Sequence, residues 1–127
     1  MPHIIVEYSR NIEASQPMEG LLRAIHEAAI VSGVFETQAI RTRGEPRDAF
    51  LIADLKNPHA GFVHITARIR PGRSQETRQR LGEGLLKAAE EYFRGAAYAH
   101  PLALNVEIHE LPPIRLGSRL NQAEQAG

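Results

Sequence analysis

Two stretches of apolar alternation, each followed by a helical stripe and a further strand, constrain this chain more than any other feature. Ile4, Val6 and Tyr8 share one face of a strand over 3–8, with His3, Ile5 and Glu7 on the other. Pro17 then suits a helix start, and Leu21, Leu22, Ile25, Ala28 and Ala29 recur at helical spacing. Gly33 stands where a helix ends, and a strand is expected over 37–43. The order then repeats. Val63, Ile65, Ala67 and Ile69 alternate with Phe62, His64, Thr66, Arg68 and Arg70, and Pro71-Gly72 breaks that strand. Ser74 caps a second helix with Glu76 in its first turn, and Leu81, Leu85, Ala88, Ala89 and Tyr92 form its stripe. A last strand over 103–110, with Leu104, Val106 and Ile108 on one face, stops at Pro112-Pro113.

The expected fold is α/β (α+β in some schemes): two consecutive β-α-β units, about 2–43 and 62–111, forming one sheet within a single domain over 1–127. Each unit is a parallel pair with a helical crossover. The linker 44–61 holds Gly44, Pro46, Asn57, Pro58 and Gly61, and its apolar run Ala49–Ala53 suggests a short extra strand. The tail beyond Leu120 is polar, which favours mobility at a terminus. Two helices cover only one face of such a sheet. The other face would present His3, Glu7, His64, Thr66, Asn105, Glu107 and His109, with Ile5 and Phe62. Parallel strands are rarely left open to water on one side, so association of identical chains is expected.

Composition narrows the function classes. A chain of 127 residues with 43% hydrophobic and 24% charged residues is ordinary for a globular domain. Fifteen basic residues balance fifteen acidic ones, which gives none of the basic footprint of a nucleic-acid binder. There is no cysteine, so disulfides and thiol catalysis are excluded. No run is long and apolar enough for a membrane helix, and Met1-Pro2-His3 leads straight into Ile4-Ile5-Val6 without a secretory signal pattern. A cytoplasmic location is the expectation. The six histidines show no metal-ligand spacing; His64 and His109 are expected to be satisfied structural or subunit-contact residues, and Glu83, Glu90 and Glu91 a solvated helix face.

Few residues are left to carry chemistry. Removal of Met1 would expose Pro2 as a secondary amine at a strand start. The reference value for an α-amino group is about 7.7–8.0, and burial and nearby cations lower it, so such an amine suits a general base near neutrality. Taken alone, a Met-Pro start is more often without function. Arg73 stands between a strand and a helix N-terminus, where backbone N–H groups already favour anions and a guanidinium adds a bidentate fork. Arg41 and Arg43 share one face of the second strand. In isolation, a solvated turn arginine for Arg73 and a charged strand face for Arg41 and Arg43 are the favoured readings.

Together, however, the segments resemble the tautomerase superfamily, and most of all its 5-carboxymethyl-2-hydroxymuconate delta-isomerases. The start Met1-Pro2-His3-Ile4-Ile5-Val6-Glu7-Tyr8-Ser9 is similar to theirs. So are Gly33-Val34-Phe35, Ala39-Ile40-Arg41-Thr42-Arg43, Phe62-Val63-His64-Ile65-Thr66, Gly72-Arg73-Ser74 and Val106-Glu107-Ile108-His109-Glu110-Leu111, all in the family's order. The linker 44–61 and the end 114–119 match poorly and leave the substrate open. The resemblance implies a homotrimer with helices outside, and a cofactor-independent isomerase in which Pro2 is the acid/base. It implies that Arg73 and Arg41, with Arg43 as a neighbouring substitute, hold a small polyanionic 2-hydroxydienoate. Another tautomerase activity, on a different enol or a haloacrylate, and a silent trimeric binding module are the competing expectations.

Overall fold

The computed structural model describes residues 2–121. Four strands, β1 (His3–Ser9), β2 (Arg41–Arg47), β3 (Gly61–Ile69) and β4 (Leu102–Glu110), form one sheet in the order β2-β1-β3-β4. Helix α1 (Met18–Val31) joins β1 to β2, and α2 (Gln75–Gly95) joins β3 to β4. Both pairs so joined are parallel, as the two-unit pattern predicts; the units meet along the antiparallel pair β1·β3, with His3 opposite Arg68 and Tyr8 opposite Val63.

The alternation explains which face is covered. Ile4, Val6, Tyr8, Val63, Ile65, Ala67 and Ile69 are buried against Leu21, Ile25, Ala29, Leu81, Leu85, Ala89 and Phe93, one stripe from each helix, in one continuous core. Each fully buried Leu or Ile contributes about 1.5–3 kcal/mol by leaving water. The opposite face carries His3, Ile5, Glu7, Phe62, His64 and Thr66, all only partly buried, and the exposed Ala103, Asn105, Glu107 and His109. The helix ends follow the expected local chemistry. Ser74 Oγ accepts a hydrogen bond from the Thr77 N–H at 3.1 Å, and Gly33 takes the left-handed φ of 71° just past α1. Pro17 occupies the N-cap of α1, one residue before the first helical position.

Two expectations are corrected. The second strand runs over 41–47 rather than 37–43, because Thr37–Ala39 form a 3-10 turn and the strand continues through Gly44 and Pro46. Both residues read as breakers, yet β2 is an edge strand, where a missing N–H is tolerated. The run Ala49–Ala53 is not a strand. Ala53 and Leu55 take positive φ of 51° and 68°, and the Leu55 N–H closes a turn onto the Ile52 carbonyl, so the segment curls instead of extending along a sheet edge. Phe50 packs edge-on against Phe62, while Leu51 is left exposed. The polar tail lies outside the described residues from 122 onward.

Candidate active site

The antiparallel meeting of the two units decides which residues share an end of the sheet. The start of β1 stands beside the start of β2 and the end of β3. Pro2 is buried there, and its carbonyl accepts a hydrogen bond from the Arg41 N–H at 3.1 Å. Met1 lies outside the described residues. His3 has Arg41 on one side and Arg68 on the other, all on the face without helices. Thr42, one residue on, points the opposite way and meets His26 of α1 at 2.8 Å.

The arginines at this end hold to carbonyls and an imidazole. Arg41 Nη1 donates to the Gln38 carbonyl at 2.8 Å and the Ile40 carbonyl at 3.2 Å. Arg43 Nη1 lies 3.2 Å from His3 Nδ1. Arg73 donates from Nη1 to the Arg70 carbonyl and from Nη2 to the Val34 carbonyl, both at 3.1 Å, and lies over the Phe35 ring 5.3 Å from its centre. Most of the other guanidinium groups are matched by acids: Arg10, Arg23, Arg47, Arg78, Arg80, Arg94 and Arg119 each have a carboxylate within ion-pair distance, while Arg115 donates to the Pro112 carbonyl. Among the described residues no carboxylate pairs with Arg41, Arg43, Arg68, Arg70 or Arg73.

That unbalanced positive charge acts on its neighbours. Burial first, and then Arg43 and Arg68, hold the His3 imidazole below its ordinary value.

The structure thus gathers Pro2, Arg41 and Arg43 around one strand start, and puts Arg73 on the turn that follows β3 at the same end. Sequence reasoning missed His3 and Arg68 as members of this group. The signal was present in the alternation Arg68-Ile69-Arg70, a counterpart of Arg41-Thr42-Arg43, but only the antiparallel β1·β3 pairing brings the two sets together. On the same face, with His109 beside Arg68 in the β3·β4 register, Glu107 bridges His64 Nε2 at 2.5 Å and His109 Nε2 at 2.7 Å, and both histidines are satisfied by it. A groove of about 380 Å³ between α2 and β4, lined by Arg78, Gly82, Leu86, Val106 and Ile108 among others, contains none of the candidate residues. The described helices include none long and apolar enough to cross a membrane.

Comparison with known proteins agrees over nearly the whole chain. The family model described as 5-carboxymethyl-2-hydroxymuconate isomerase matches residues 2–122. The 5-carboxymethyl-2-hydroxymuconate Delta-isomerase of Escherichia coli is 37% identical over 113 residues, 89% of each chain. The crystal structure of a 5-carboxymethyl-2-hydroxymuconate isomerase from Deinococcus radiodurans R1 superposes with a TM-score of 0.82 at 26% identity, covering 94% of this chain and 90% of that one. The structure described as "Q0 fused 4-OT wild type symmetric trimer" shares the fold, with a TM-score of 0.63 at 16% identity over 95% of this chain and 94% of that one.

Proposed function

We propose, for a chain that belongs to the 5-carboxymethyl-2-hydroxymuconate isomerase family, that the Pro2 amine is the acid/base and that the arginines beside it hold the substrate carboxylates. The observation that carries this reading is the set Arg41, Arg43, Arg68, Arg70 and Arg73, without a carboxylate partner, at the end of the sheet where β1 begins. Elsewhere most arginines are paired to acids, so a polyanion brought to this end meets charge that the fold has left uncompensated.

The substrate proposed is 5-carboxymethyl-2-hydroxymuconate, the compound named for the relatives. Pro2 nitrogen takes the hydroxyl proton of the 2-hydroxydienoate, the electron pair moves through the conjugated system, and the proton returns at a remote carbon. The enol becomes a ketone and a double bond shifts. No other reactant enters the balance. Guanidinium groups fix the carboxylates and stabilise the dienolate as its charge develops. Acid–base help supplies about 10²- to 10⁴-fold, and positioning and electrostatics supply the remainder.

A homotrimer in the cytoplasm is part of the proposal. The open face with Phe62, His64 and Glu107 supports it, as does the trimeric fused 4-OT that shares the fold. The test of the mechanism is chemical. Protein that retains Met1, verified by mass, or that is acylated at Pro2 should lose about 10²-fold or more in an ultraviolet isomerisation assay. Full activity after blocking would overturn the assignment.

A further inference from the structure

We propose that Glu36 and Arg119 are positioning residues for substrate binding: the segment 111–121 is a strap that fixes the loop 33–36 and, through it, the Arg73 guanidinium. The inference rests on the reading of Arg73 as a carboxylate-binding group.

The strap begins where the Leu111 N–H donates to the Ile69 carbonyl at 2.6 Å, at the end of the sheet that holds Pro2. It is not held down by apolar packing, since Ile114, Leu116 and Leu120 are 88%, 99% and 80% exposed. Arg119 is different. Its side chain is only 15% exposed, and its Nη2 lies 3.8 Å from Oε2 of Glu36. That oxygen is buried and accepts no hydrogen bond, so its charge depends on the guanidinium nearby. Glu36 directly follows Val34 and Phe35, the two residues that receive Arg73 through a carbonyl and a ring face. The loop 33–36 touches both arginines. Loss of Arg119 leaves a buried carboxylate oxygen uncompensated; relief comes from moving the loop outward, which takes the Val34 carbonyl and the Phe35 ring away from Arg73.

Steady-state kinetics on the full chain, with the tricarboxylate as substrate, separate this role from general stabilisation. Arg119→Ala should raise KM about tenfold with kcat within about twofold, and Arg119→Lys should recover part of the loss. Because Arg119 acts through Arg73, the double variant Arg73→Ala/Arg119→Ala should bind no worse than Arg73→Ala alone. Should Arg119→Ala fail to fold, Arg119→Met, which keeps the aliphatic stem but leaves the Glu36 carboxylate uncompensated, carries the same expectation for KM and for the double variant with Arg73→Ala. If Arg73→Ala leaves KM unchanged, the anion-binding reading and this one fall together. If Arg73→Ala raises KM while Arg119→Ala or Arg119→Met does not, or if the effects multiply in the double variant, the strap has no positioning role and the anion-binding reading stands.

Discussion

The Arg41 N–H donates to the Pro2 carbonyl at 3.1 Å, so the proposed base and one proposed carboxylate ligand are joined through the backbone. Substitution of the Arg41 side chain leaves that bond in place. Its effect therefore reports on the guanidinium rather than on the pairing of β1 with β2.

Arg41→Ala and Arg73→Ala should each lower kcat/KM by about tenfold or more, which corresponds to about 1.4 kcal/mol. Arg41→Ala should lower stability by only about 1 kcal/mol, since it gives up the bonds to the Gln38 and Ile40 carbonyls but leaves no buried charge behind. Lysine at either position should rescue only partly, because it keeps the charge but loses the planar fork. Parent-like kinetics in both alanine variants would remove the carboxylate clamp.

Tyr8 should be the last tyrosine to ionise. Burial first, and then the 2.6 Å hydrogen bond to Glu13 Oε2, push its hydroxyl up to about 12. A group raised above its unfolded value stabilises the fold fully below that value, near 10, and loses the contribution as pH rises toward 12. Titration followed at 295 nm should show one phenol ionising near 12, and Glu13→Gln should move that step down. An unmoved step would show that Glu13 plays no part.

Gly61→Ala should be destabilising although glycine usually weakens a strand. An added Cβ would stand 2.9 Å from Ile12 Cγ1 and 3.1 Å from Ser9 Oγ, both buried. Ser9 Oγ also accepts from the Phe62 N–H, so it is not free to move. A cost of about 1–3 kcal/mol in denaturant unfolding is expected for such overpacking. A variant as stable as the parent would mean that Ile12 repacks without strain.

Acid should weaken the fold partly through Glu107. Hydrogen bonds from His109 and then His64 hold its carboxyl below the ordinary value of 4.5. A depressed carboxyl stabilises above the unfolded value and loses that contribution as pH falls through the folded one. The melting temperature should therefore fall below about pH 4.5, and less steeply in Glu107→Gln. Equal slopes in the two proteins would assign the acid loss to other groups.

The legible parts of the fold were those written in apolar periodicity. β1 and β3 carry buried residues at every expected position, and each helix buries the centre of its expected stripe while Leu22, Ala28, Ala88 and Tyr92 are only partly buried and Phe93 joins the core; Ser74 and Gly33 mark helix ends through local chemistry alone. β2 was misplaced by four residues because Arg41-Thr42-Arg43-Gly44-Glu45-Pro46-Arg47 has no apolar alternation. It is held at the edge of the sheet by pairing with β1, and Gly44 lets it lie close to Leu22 and Tyr8. Ala49–Ala53 misled in the opposite direction, since an apolar run without an edge to join has no reason to extend. Pro2, Arg41, Arg43 and Arg73 were visible as residues, whereas their convergence was not. That depends on β1 and β3 running in opposite directions, and so do the contributions of His3 and Arg68. The ion pair of Glu36 with Arg119 joins residues too far apart in sequence for any spacing rule.

The antiparallel β1·β3 pair gives the sheet two opposite ends built on one plan. At one, His3 faces Arg41 where β1 and β2 begin; at the other, Gly61 faces Leu102 where β3 and β4 begin. The counterpart of Pro2 is Ala60, an ordinary peptide residue whose carbonyl accepts from Asn11 Nδ2. Leu102 replaces an arginine there, and the nearby Arg10 is already bound to Asp48 and Glu13. A chain that repeats its β-α-β unit in a single polypeptide repeats the scaffold of the site proposed around Pro2 but has only one amino terminus to place in it. On that proposal each chain has one end with an amine base and one end without. Severing the linker before Ala60 would supply the second end with an amine but not with cationic partners for anions, so two further arginines would have to be introduced before that end could bind a dicarboxylate.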